Sequence, residues 1–336
     1  MPPSATQPTI SVIIPVHNGG EAFRRCLTSL QQSDCQPHET LVVANGDETS
    51  AQLAEKFGAK AVRLPHPEGP ATARNLGAKA ATGDILFFVD ADVEVHPPTI
   101  AQVQETFAQD PELGALMGSY DDAPGASNFL SQYKNLFHHY THQTGAEEAS
   151  TFWGACGAMR RDLFLDLGGF DEGYRKPCVE DIELGYRLKN AGYRIALCKD
   201  IQVKHLKRWE MISLLKAEFF YRALPWTDLL LRKQQINNDL NLKWSSRLSV
   251  VCVYVLLLCM AIALWQPWSL AIALCCAIAL LVLNASVYQF FWQKRGFFFM
   301  LRVIPWHWLY FFYGGLAFAI GTVRYRLLPS SAIMGQ

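Results

Sequence analysis

Two long stretches near the C-terminus contain no charged residue, and they limit what this chain can fold into more than any other feature. Residues 248–293 (46 residues) contain no Asp, Glu, Lys or Arg, and neither do residues 303–323 (21 residues). A helix that crosses a bilayer needs about 20 mostly apolar residues. The first stretch therefore predicts two transmembrane spans, at about 248–265 and 268–292, and the second predicts one span at 304–323.

The charges that remain are distributed unevenly along the chain. Beyond Trp244 there are six basic residues and no acidic one, although the whole chain has 30 Lys and Arg and 30 Asp and Glu. A basic flank beside apolar spans is typical of segments that lie next to anionic lipid headgroups, and no basic patch indicates nucleic acid. The N-terminus does not resemble a signal peptide. We therefore expect a multi-pass protein of the cell (inner) membrane whose front part stays in the cytosol.

The first ninety residues alternate strand-like runs with helical stretches, a pattern typical of βαβ units and a parallel sheet. Strands are predicted at residues 10–16, 40–44, 59–64 and 85–89. In open sheets of this kind ligands bind beyond the carboxyl ends of the strands. Polar residues follow three of these ends, at positions 17–18, 45–48 and 90–92. The sequence predicts an α/β domain with a site at this edge.

Asp90 and Asp92 directly follow the apolar run at residues 86–89, so two carboxylates lie at the tip of a buried strand. Burying acids costs free energy unless a positive partner compensates for the charge. Mg²⁺ typically takes one or two protein carboxylates and completes its shell with phosphate and water. The pair therefore indicates a divalent cation that also bridges phosphates, and a solvated acidic turn is the alternative.

A second acidic pair, Glu180 and Asp181, precedes a stretch whose apolar residues predict a helix over residues 182–188. Acids at a helix N-terminus can simply cap the helix and complement its dipole. Because Asp181 also lies beside a loop, it is equally placed to serve as a general base.

Further blocks complete the pattern: residues 11–18 (SVIIPVHN), 73–75 (ARN), 83–84 (GD), 154–158 (GACGA) and 168–171 (GGFD), with Arg187 and Leu188 after the second acidic pair. In this order, over residues 10–206, the chain resembles a family 2 glycosyltransferase with the GT-A fold. The resemblance implies a nucleotide sugar donor, Mg²⁺ or Mn²⁺ at Asp90 and Asp92, and inversion at the anomeric carbon. It also implies that Asp181, with Glu180 beside it, deprotonates the acceptor hydroxyl.

The same resemblance also implies which residues bind the nucleotide sugar donor. Pro15 and Asn18 are expected to border the nucleoside, and Arg74 is expected near the diphosphate. The sequence departs from the family at Asn45 and Asp47, where many members have two acids, and at His17, where an aromatic hydroxyl residue is usual; the choice between uridine and guanosine is therefore left open. The donor-binding residues implied are Pro15, His17, Asn18, Asn45, Asp47, Arg74, Asp90, Arg208 and Trp209.

His205 ends an apolar strand at residues 201–203 and stands 24 positions after Asp181. In several family members a histidine here is a further metal ligand, although a lone histidine is more often structural. Residues 205–209 (HLKRW) also resemble the QxxRW motif of processive members, with His in place of Gln. Arg208 and Trp209 could bind the diphosphate or an acceptor headgroup, or they could be the first residues at the membrane surface.

The predicted organisation is a GT-A catalytic domain at residues 1–208, an amphipathic interfacial linker at 209–246, a transmembrane region at 247–326 and a tail at 327–336. The linker could instead pack on the soluble core. A third span would leave Arg324 and Arg326 outside, against the positive-inside rule, and a bent or re-entrant segment is the alternative.

The function that this implies is transfer of a sugar to a membrane-associated acceptor, a polyprenyl phosphate or a glycolipid, at the cytosolic face. The alternatives are a processive polysaccharide synthase and a non-catalytic membrane scaffold. Three spans can hardly enclose a polysaccharide pore, and retention of both acidic pairs argues against a scaffold.

Overall fold

The computed structural model describes residues 7–233 and 243–327, and the chain divides into two compact units between Glu210 and Met211. The strands of the first unit are β1 (Ile10–Val16), β2 (Glu39–Asn45), β3 (Lys60–Leu64), β4 (Ile85–Val89), β5 (Val93–Val95), β6 (Leu113–Tyr120), β7 (Cys156–Arg160) and β8 (Arg194–His205). Its helices are α1 (Gly20–Gln31), α2 (Glu48–Lys56), α3 (Pro70–Ala80), α4 (Thr99–Gln109), α5 (Phe129–Gln143), α6 (Arg161–Asp166) and α7 (Glu180–Asn190).

The strands form one sheet in the order β3-β2-β1-β4-β7-β6-β8-β5. The four strands predicted from the first ninety residues are confirmed, and they pair in parallel with one another. The sheet as a whole is mixed, because β7 runs antiparallel between β4 and β6, and β5 runs antiparallel along β8. All residues of β4 and β6 are buried, as expected for central strands covered on both faces.

The antiparallel strands bring distant segments to the carboxyl end of β4. Val89, the last residue of β4, pairs with Cys156, the first residue of β7. The loop before β7 therefore lies beside Asp90. Val93 in β5 pairs with His205 at the end of β8, and this pairing brings His205 next to Asp92. The sheet thus assembles the predicted acids, the loop before β7 and His205 at one edge.

The second unit is helical in the part that the structure describes. Its elements are α8 (Met211–Lys216), a π-helix (Ala217–Ala223), α9 (Leu224–Lys233), α10 (Trp244–Ile262), α11 (Ser269–Leu283), α12 (Ala285–Arg295) and α13 (Phe297–Leu327). The π-helix precedes Pro225, which has no N–H to donate, and the Leu224 N–H bonds to Phe219 O, five residues back. The wider turn thereby accommodates the proline. Residues 234–242 of the predicted linker lie outside the described residues.

Two helices, α10 and α13, are long and apolar enough to cross a membrane, and α11 with α12 would be a third span if the bent pair crosses as one. Their axes differ by 61°, so the stretch predicted as one span at 268–292 is not a straight helix. At the break the Asn284 amide donates to Ser249 Oγ and to Leu280 O, both at 2.9 Å. These bonds tie the end of α11 to the beginning of α10.

The C-terminal part of α13 packs against α9. A Cβ added at Gly321 would lie 2.6 Å from Thr227 Cγ2, so the two helices are in close contact there. Arg324 lies one turn further along α13. Burial raises the pKa of Asp228 in α9, and the positive charges of Arg324 and Arg232 partly offset this rise. The end of α13 therefore lies beside α9 within the second unit.

Candidate active site

The predicted acidic pair lies directly beyond β4, and both carboxylates are about one-third exposed. Asp90 Oδ1 accepts a hydrogen bond from Arg74 Nη2 at 2.8 Å, and Asp92 Oδ2 lies 3.5 Å from His205 Nε2. Burial raises the pKa of Asp90, against the effect of Arg74, and the neighbouring Asp92 adds to the rise. Burial acts in the same direction on Asp92, but His205 and Lys207 outweigh it and hold the pKa of Asp92 below its usual range.

Arg74 connects the two acidic pairs. Its guanidinium is buried and donates to Asp90 on one side and to Glu180 Oε1, at 2.8 Å, on the other. Burial would lower the pKa of Arg74, but Asp90, Glu180 and Asp181 raise it above its ordinary value, so the side chain stays charged. The predicted diphosphate residue is therefore bonded to carboxylates, and it joins α3 to the beginning of α7.

Glu180 and Asp181 lie at the start of α7 in different surroundings. Glu180 is buried, and its second oxygen accepts from the Cys178 N–H at 2.9 Å. Asp181 is half-buried and accepts from the Gly154 N–H at 3.1 Å and from the Ile182 N–H at 2.8 Å. Backbone N–H groups thus hold the Asp181 carboxylate, whereas Glu180 is in an ion pair with Arg74.

The position of α7 depends on the absence of a side chain at Gly185. A Cβ there would lie 2.2 Å from the backbone nitrogen of Phe152 and 2.7 Å from atoms of Thr151. Only glycine allows the helix to lie this close to the loop before β7. The contact sets the distance between Asp181 and Gly154.

Polar residues beyond β1 and β2 form the predicted donor side. His17 Nδ1 lies 2.8 Å from Asn45 O, and Asn18 Nδ2 lies 3.1 Å from His17 Nε2. The Asp47 carboxylate caps α2 through the Ser50 N–H and accepts from the Asn18 N–H at 2.9 Å. Burial alone would raise the pKa of Asp47, but these bonds hold it below its usual range. His17 is exposed, with its ring held at both nitrogens.

Asn45 and Pro15 lie behind this network. The Asn45 amide donates to Glu68 O at 2.8 Å and accepts from the Glu68 N–H at 2.7 Å, so its hydrogen-bonding edge holds the loop before α3. Pro15 lies within β1, opposite Val43. Of the predicted donor residues on this side, His17 and Asn18 are the exposed ones, and Asp47 and Asn45 hold the local backbone.

A polar stripe on α5 was not predicted from the sequence. Every third or fourth residue on its buried face is polar, and these residues bond to β6, to the end of β8 or to the segment that follows β8. The bonds join Ser131 to the Trp209 N–H, Asn135 to His205, His139 to Tyr120 O and His142 to Gly118 O. The spacing in the sequence could have indicated the stripe, because these positions share one helix face. Their partners are 19 to 78 residues away.

The segment after β8 contains the last two predicted donor residues. Trp209 is buried, and its carbonyl oxygen accepts from Asn128 Nδ2 at 2.7 Å, while Lys207 Nζ lies 4.3 Å from the centre of the Trp209 ring. Arg208 is exposed and pairs with Glu210 at 2.8 Å. The backbone of this segment is thus held by α5, and Arg208 extends to the surface.

The residues at the acidic pair suit a divalent cation that also binds phosphate. Within residues 7–233 and 243–327, no three His, Cys, Asp or Glu side chains are grouped closely enough to hold a metal alone. Asp92 and His205 nevertheless present one oxygen and one nitrogen 3.5 Å apart. An octahedral ion with bonds of about 2.1 Å places neighbouring ligands roughly 3 Å apart, and phosphate and water usually complete its shell.

The sequence is similar to those of known proteins. The sequence model described as Glycosyl transferase family 2 matches residues 11–168. The O-antigen biosynthesis protein RfbC of Myxococcus xanthus is 30% identical over 59% of this chain and 17% of its own length. The pre-mycofactocin glycosyltransferase of Mycobacterium tuberculosis is 28% identical over 66% of this chain and 47% of its own. This chain thus spans less than half the length of either relative.

Among solved structures, the mannosyltransferase PcManGT from Pyrobaculum calidifontis, in complex with GDP-Man and Mn²⁺, has a TM-score of 0.50 and 18% identity, covering 96% of this chain and 88% of its own. At this identity the likeness concerns the fold. The match over residues 11–168, the sheet topology and the acids at the end of β4 agree with one another: this part of the chain is a glycosyl transferase family 2 domain with the GT-A fold.

Proposed function

We propose that this protein is a metal-dependent inverting glycosyltransferase that moves one sugar from a nucleotide sugar to a lipid-linked acceptor at the cytosolic face of the inner membrane. One observation carries the proposal: Arg74 joins Asp90, beside the metal-type pair of Asp92 and His205, to Glu180, the neighbour of Asp181. A site for a leaving diphosphate and a candidate base are thereby held in one network around the buried Arg74.

In the proposed reaction, the acceptor hydroxyl oxygen attacks the anomeric carbon of the donor sugar. The bond between that carbon and the diphosphate oxygen breaks, and the nucleoside diphosphate leaves with the electron pair. Asp181 takes the hydroxyl proton, because its carboxylate is half-buried and lies beside the loop before β7, at the same end of the sheet as Asp90. Attack opposite the leaving group inverts the anomeric centre.

Asp92 and His205 would hold the cation, with Asp90 beside them. When bound, Mg²⁺ or Mn²⁺ supplies positive charge that stabilises the leaving diphosphate. Arg74 keeps Asp90 in place and offsets part of the negative charge of the four carboxylates at positions 90, 92, 180 and 181. The Mn²⁺ bound by the mannosyltransferase of the same fold supports this assignment.

The nucleoside is proposed to lie against His17 and Asn18, with Pro15 and the Asn45–Asp47 turn beneath them. The imidazole of His17 is fixed at both nitrogens and exposed, so one ring face is available for stacking on a base. Arg208 and Trp209 are proposed to bind the diphosphate or the headgroup of the acceptor. The apolar helices of the second unit support a lipid acceptor, because a bilayer would concentrate one near the site.

The experiment that tests this function uses the full-length chain purified in detergent. UDP-, GDP- and dTDP-sugars are screened with Mg²⁺ or Mn²⁺ for thermal stabilisation and for release of nucleoside diphosphate, and a lipid extract is then added as the source of acceptor. We expect one nucleotide class to stabilise the protein, and turnover to be lost with excess chelator and in Asp92→Ala.

The product separates single transfer from processive synthesis, because one added sugar shifts the lipid mass by one hexose or hexosamine. Undiminished turnover in excess chelator would contradict the metal assignment. A folded protein that neither binds nor turns over any nucleotide sugar would contradict the enzymatic function as a whole.

A further inference from the structure

Asn135 lies beneath the proposed metal site without reaching it. It is fully buried on α5, and its Oδ1 lies 2.7 Å from Nδ1 of His205, which is itself buried. The other nitrogen of that ring, Nε2, is the atom 3.5 Å from Asp92 Oδ2. The imidazole therefore lies between the Asn135 amide and the Asp92 carboxylate.

The ring is also fixed in its plane. Tyr120 stacks on His205 with ring centres 4.4 Å apart and an angle of 7° between the planes. Tyr120 is in turn tied to α5, because its carbonyl oxygen is bonded to His139 Nδ1 at 2.6 Å. Rotation of the imidazole would break both the stacking and the Asn135 bond.

The amide oxygen of Asn135 can only accept a hydrogen bond, so in the neutral imidazole Nδ1 carries the hydrogen and Nε2 presents a lone pair. That lone pair faces a carboxylate oxygen, which is also an acceptor. Two acceptor atoms 3.5 Å apart can bind one cation between them. In the opposite tautomer the hydrogen on Nε2 would point at Asp92 and lie where the cation would bind. Within the described residues, Asn135 Nδ2 has no hydrogen-bond partner. The side-chain amide of Asn135 therefore interacts with its surroundings through the bond from Oδ1 to His205.

We infer that Asn135 is a positioning residue that holds His205 in the tautomer with a free Nε2 and thereby tightens divalent metal binding at Asp92. The inference rests on the proposed metal site and adds to it a residue on α5 that touches neither donor nor metal. Outer partners of metal-bound histidines typically contribute 10-fold to 100-fold to metal affinity.

The test measures Mn²⁺ binding directly, by the decrease of the free-ion electron paramagnetic resonance signal, with Mn²⁺ alone and together with UDP or GDP. The full-length protein in detergent is compared with Asn135→Leu, Asn135→Asp, His205→Ala and the double variant Asn135→Leu/His205→Ala. Thr141→Val is the matched control, because it removes a hydroxyl on the same helix that donates to Phe137 O within that helix. Thermal melting confirms that each variant is folded.

We expect Asn135→Leu to raise the Kd for Mn²⁺ by about 10-fold or more, and Asn135→Asp, which keeps an acceptor oxygen, to stay within about 3-fold of the parent. In the His205→Ala background, Asn135→Leu should have no further effect. Unchanged Mn²⁺ affinity in Asn135→Leu, or an Asn135→Asp variant as weak as His205→Ala, would overturn this inference alone. Absence of Mn²⁺ binding in the parent protein would overturn the proposed metal site and this inference together.

Discussion

At the scale of single residues, the neighbours Glu180 and Asp181 perform separable tasks. Glu180 is paired with Arg74 and the Cys178 N–H, while Asp181 accepts from the backbone N–H groups of Gly154 and Ile182. We expect Asp181→Asn to lower the rate of transfer roughly 100-fold or more with nearly unchanged donor affinity, because only the proton acceptor is lost.

Glu180→Gln should act differently, since it leaves the buried Arg74 with one carboxylate partner fewer. Its main effect is expected on the melting temperature, because removing one member of a buried ion pair is strongly destabilising. Single-turnover kinetics and melting curves of both variants check this division. An Asp181→Asn variant that loses donor affinity but keeps its turnover would instead place Asp181 in donor binding.

A second residue-scale prediction concerns acid stability at the start of the sheet. The Asp84 carboxylate accepts from Thr9 N at 2.8 Å and Thr9 Oγ1 at 2.7 Å, and these bonds lower the pKa of Asp84 below its ordinary value of 3.8. Because the folded pKa is below the unfolded one, the stabilisation is fully present above roughly pH 5 and is lost as the pH falls through the folded pKa.

Asp84→Asn should therefore lower the melting temperature at pH 7, by about 2–4 °C if the solvent-screened bonds contribute about 1 kcal/mol. The difference from the parent should shrink as the pH falls below about 4. Asp162→Asn, at an exposed acid, is the control and should change little at either pH. A difference of the same size at pH 3 and pH 7 would contradict the assigned pKa direction.

At the scale of elements, the close packing of α13 on α9 predicts unequal tolerance of two glycines in one helix. At Gly321 an added Cβ would meet Thr227 Cγ2 at 2.6 Å, whereas at Gly314 it would meet nothing within 4 Å. Gly321→Ala should destabilise the second unit by about 1–3 kcal/mol through overpacking. Gly314→Ala should be neutral or slightly stabilising, since alanine favours the helix.

The clash also predicts a rescue. Thr227→Ser removes the methyl group that the new Cβ would strike and keeps the hydroxyl that bonds to Ala223 O. Adding Thr227→Ser to Gly321→Ala should recover part of the lost melting temperature in detergent. Equal melting temperatures for Gly321→Ala and Gly314→Ala would show that the two helices do not pack as described.

At the scale of the whole molecule, the contacts of the second unit predict where its ends lie in a membrane. α10 and α11 form a hairpin, since Ser269 Oγ bonds to Cys259 O and Asn284 bonds to Ser249. The uncharged turn at residues 265–268 is thus expected outside, and the end of α13, packed beside α9, is expected in the cytosol with Arg324 and Arg326. In this arrangement α13 is expected not to cross the membrane, so Lys294, Arg295 and Arg302 stay in the cytosol with Arg324 and Arg326, as the positive-inside rule requires.

Cysteine labelling checks this topology. In a variant whose native cysteines are replaced, Gln266→Cys should react with an impermeant maleimide on intact cells, and Arg326→Cys should react only after the membrane is permeabilised. Labelling of Arg326→Cys from outside would restore the three-span arrangement that charge-free segment lengths suggested. A spheroplast preparation with an inside control residue, such as Asp162→Cys, verifies that the membrane is sealed.

The local patterns of the sequence were sufficient to predict the parallel strands β1 to β4, the acids beyond β4 and the apolar C-terminal helices, because strand period, terminal polar residues and charge-free length are properties of neighbouring residues. The strand order could not be predicted in this way, and for the same reason neither could the hydrogen-bond partners of Arg74 and His205. Glu180 is 106 residues from Arg74, and Asn135 is 70 residues from His205. The bend at Asn284 and the contact of Gly321 with Thr227 depend likewise on which helices meet. Such pairings follow from the topology of the sheet and from close packing between elements, which no local pattern of residues records.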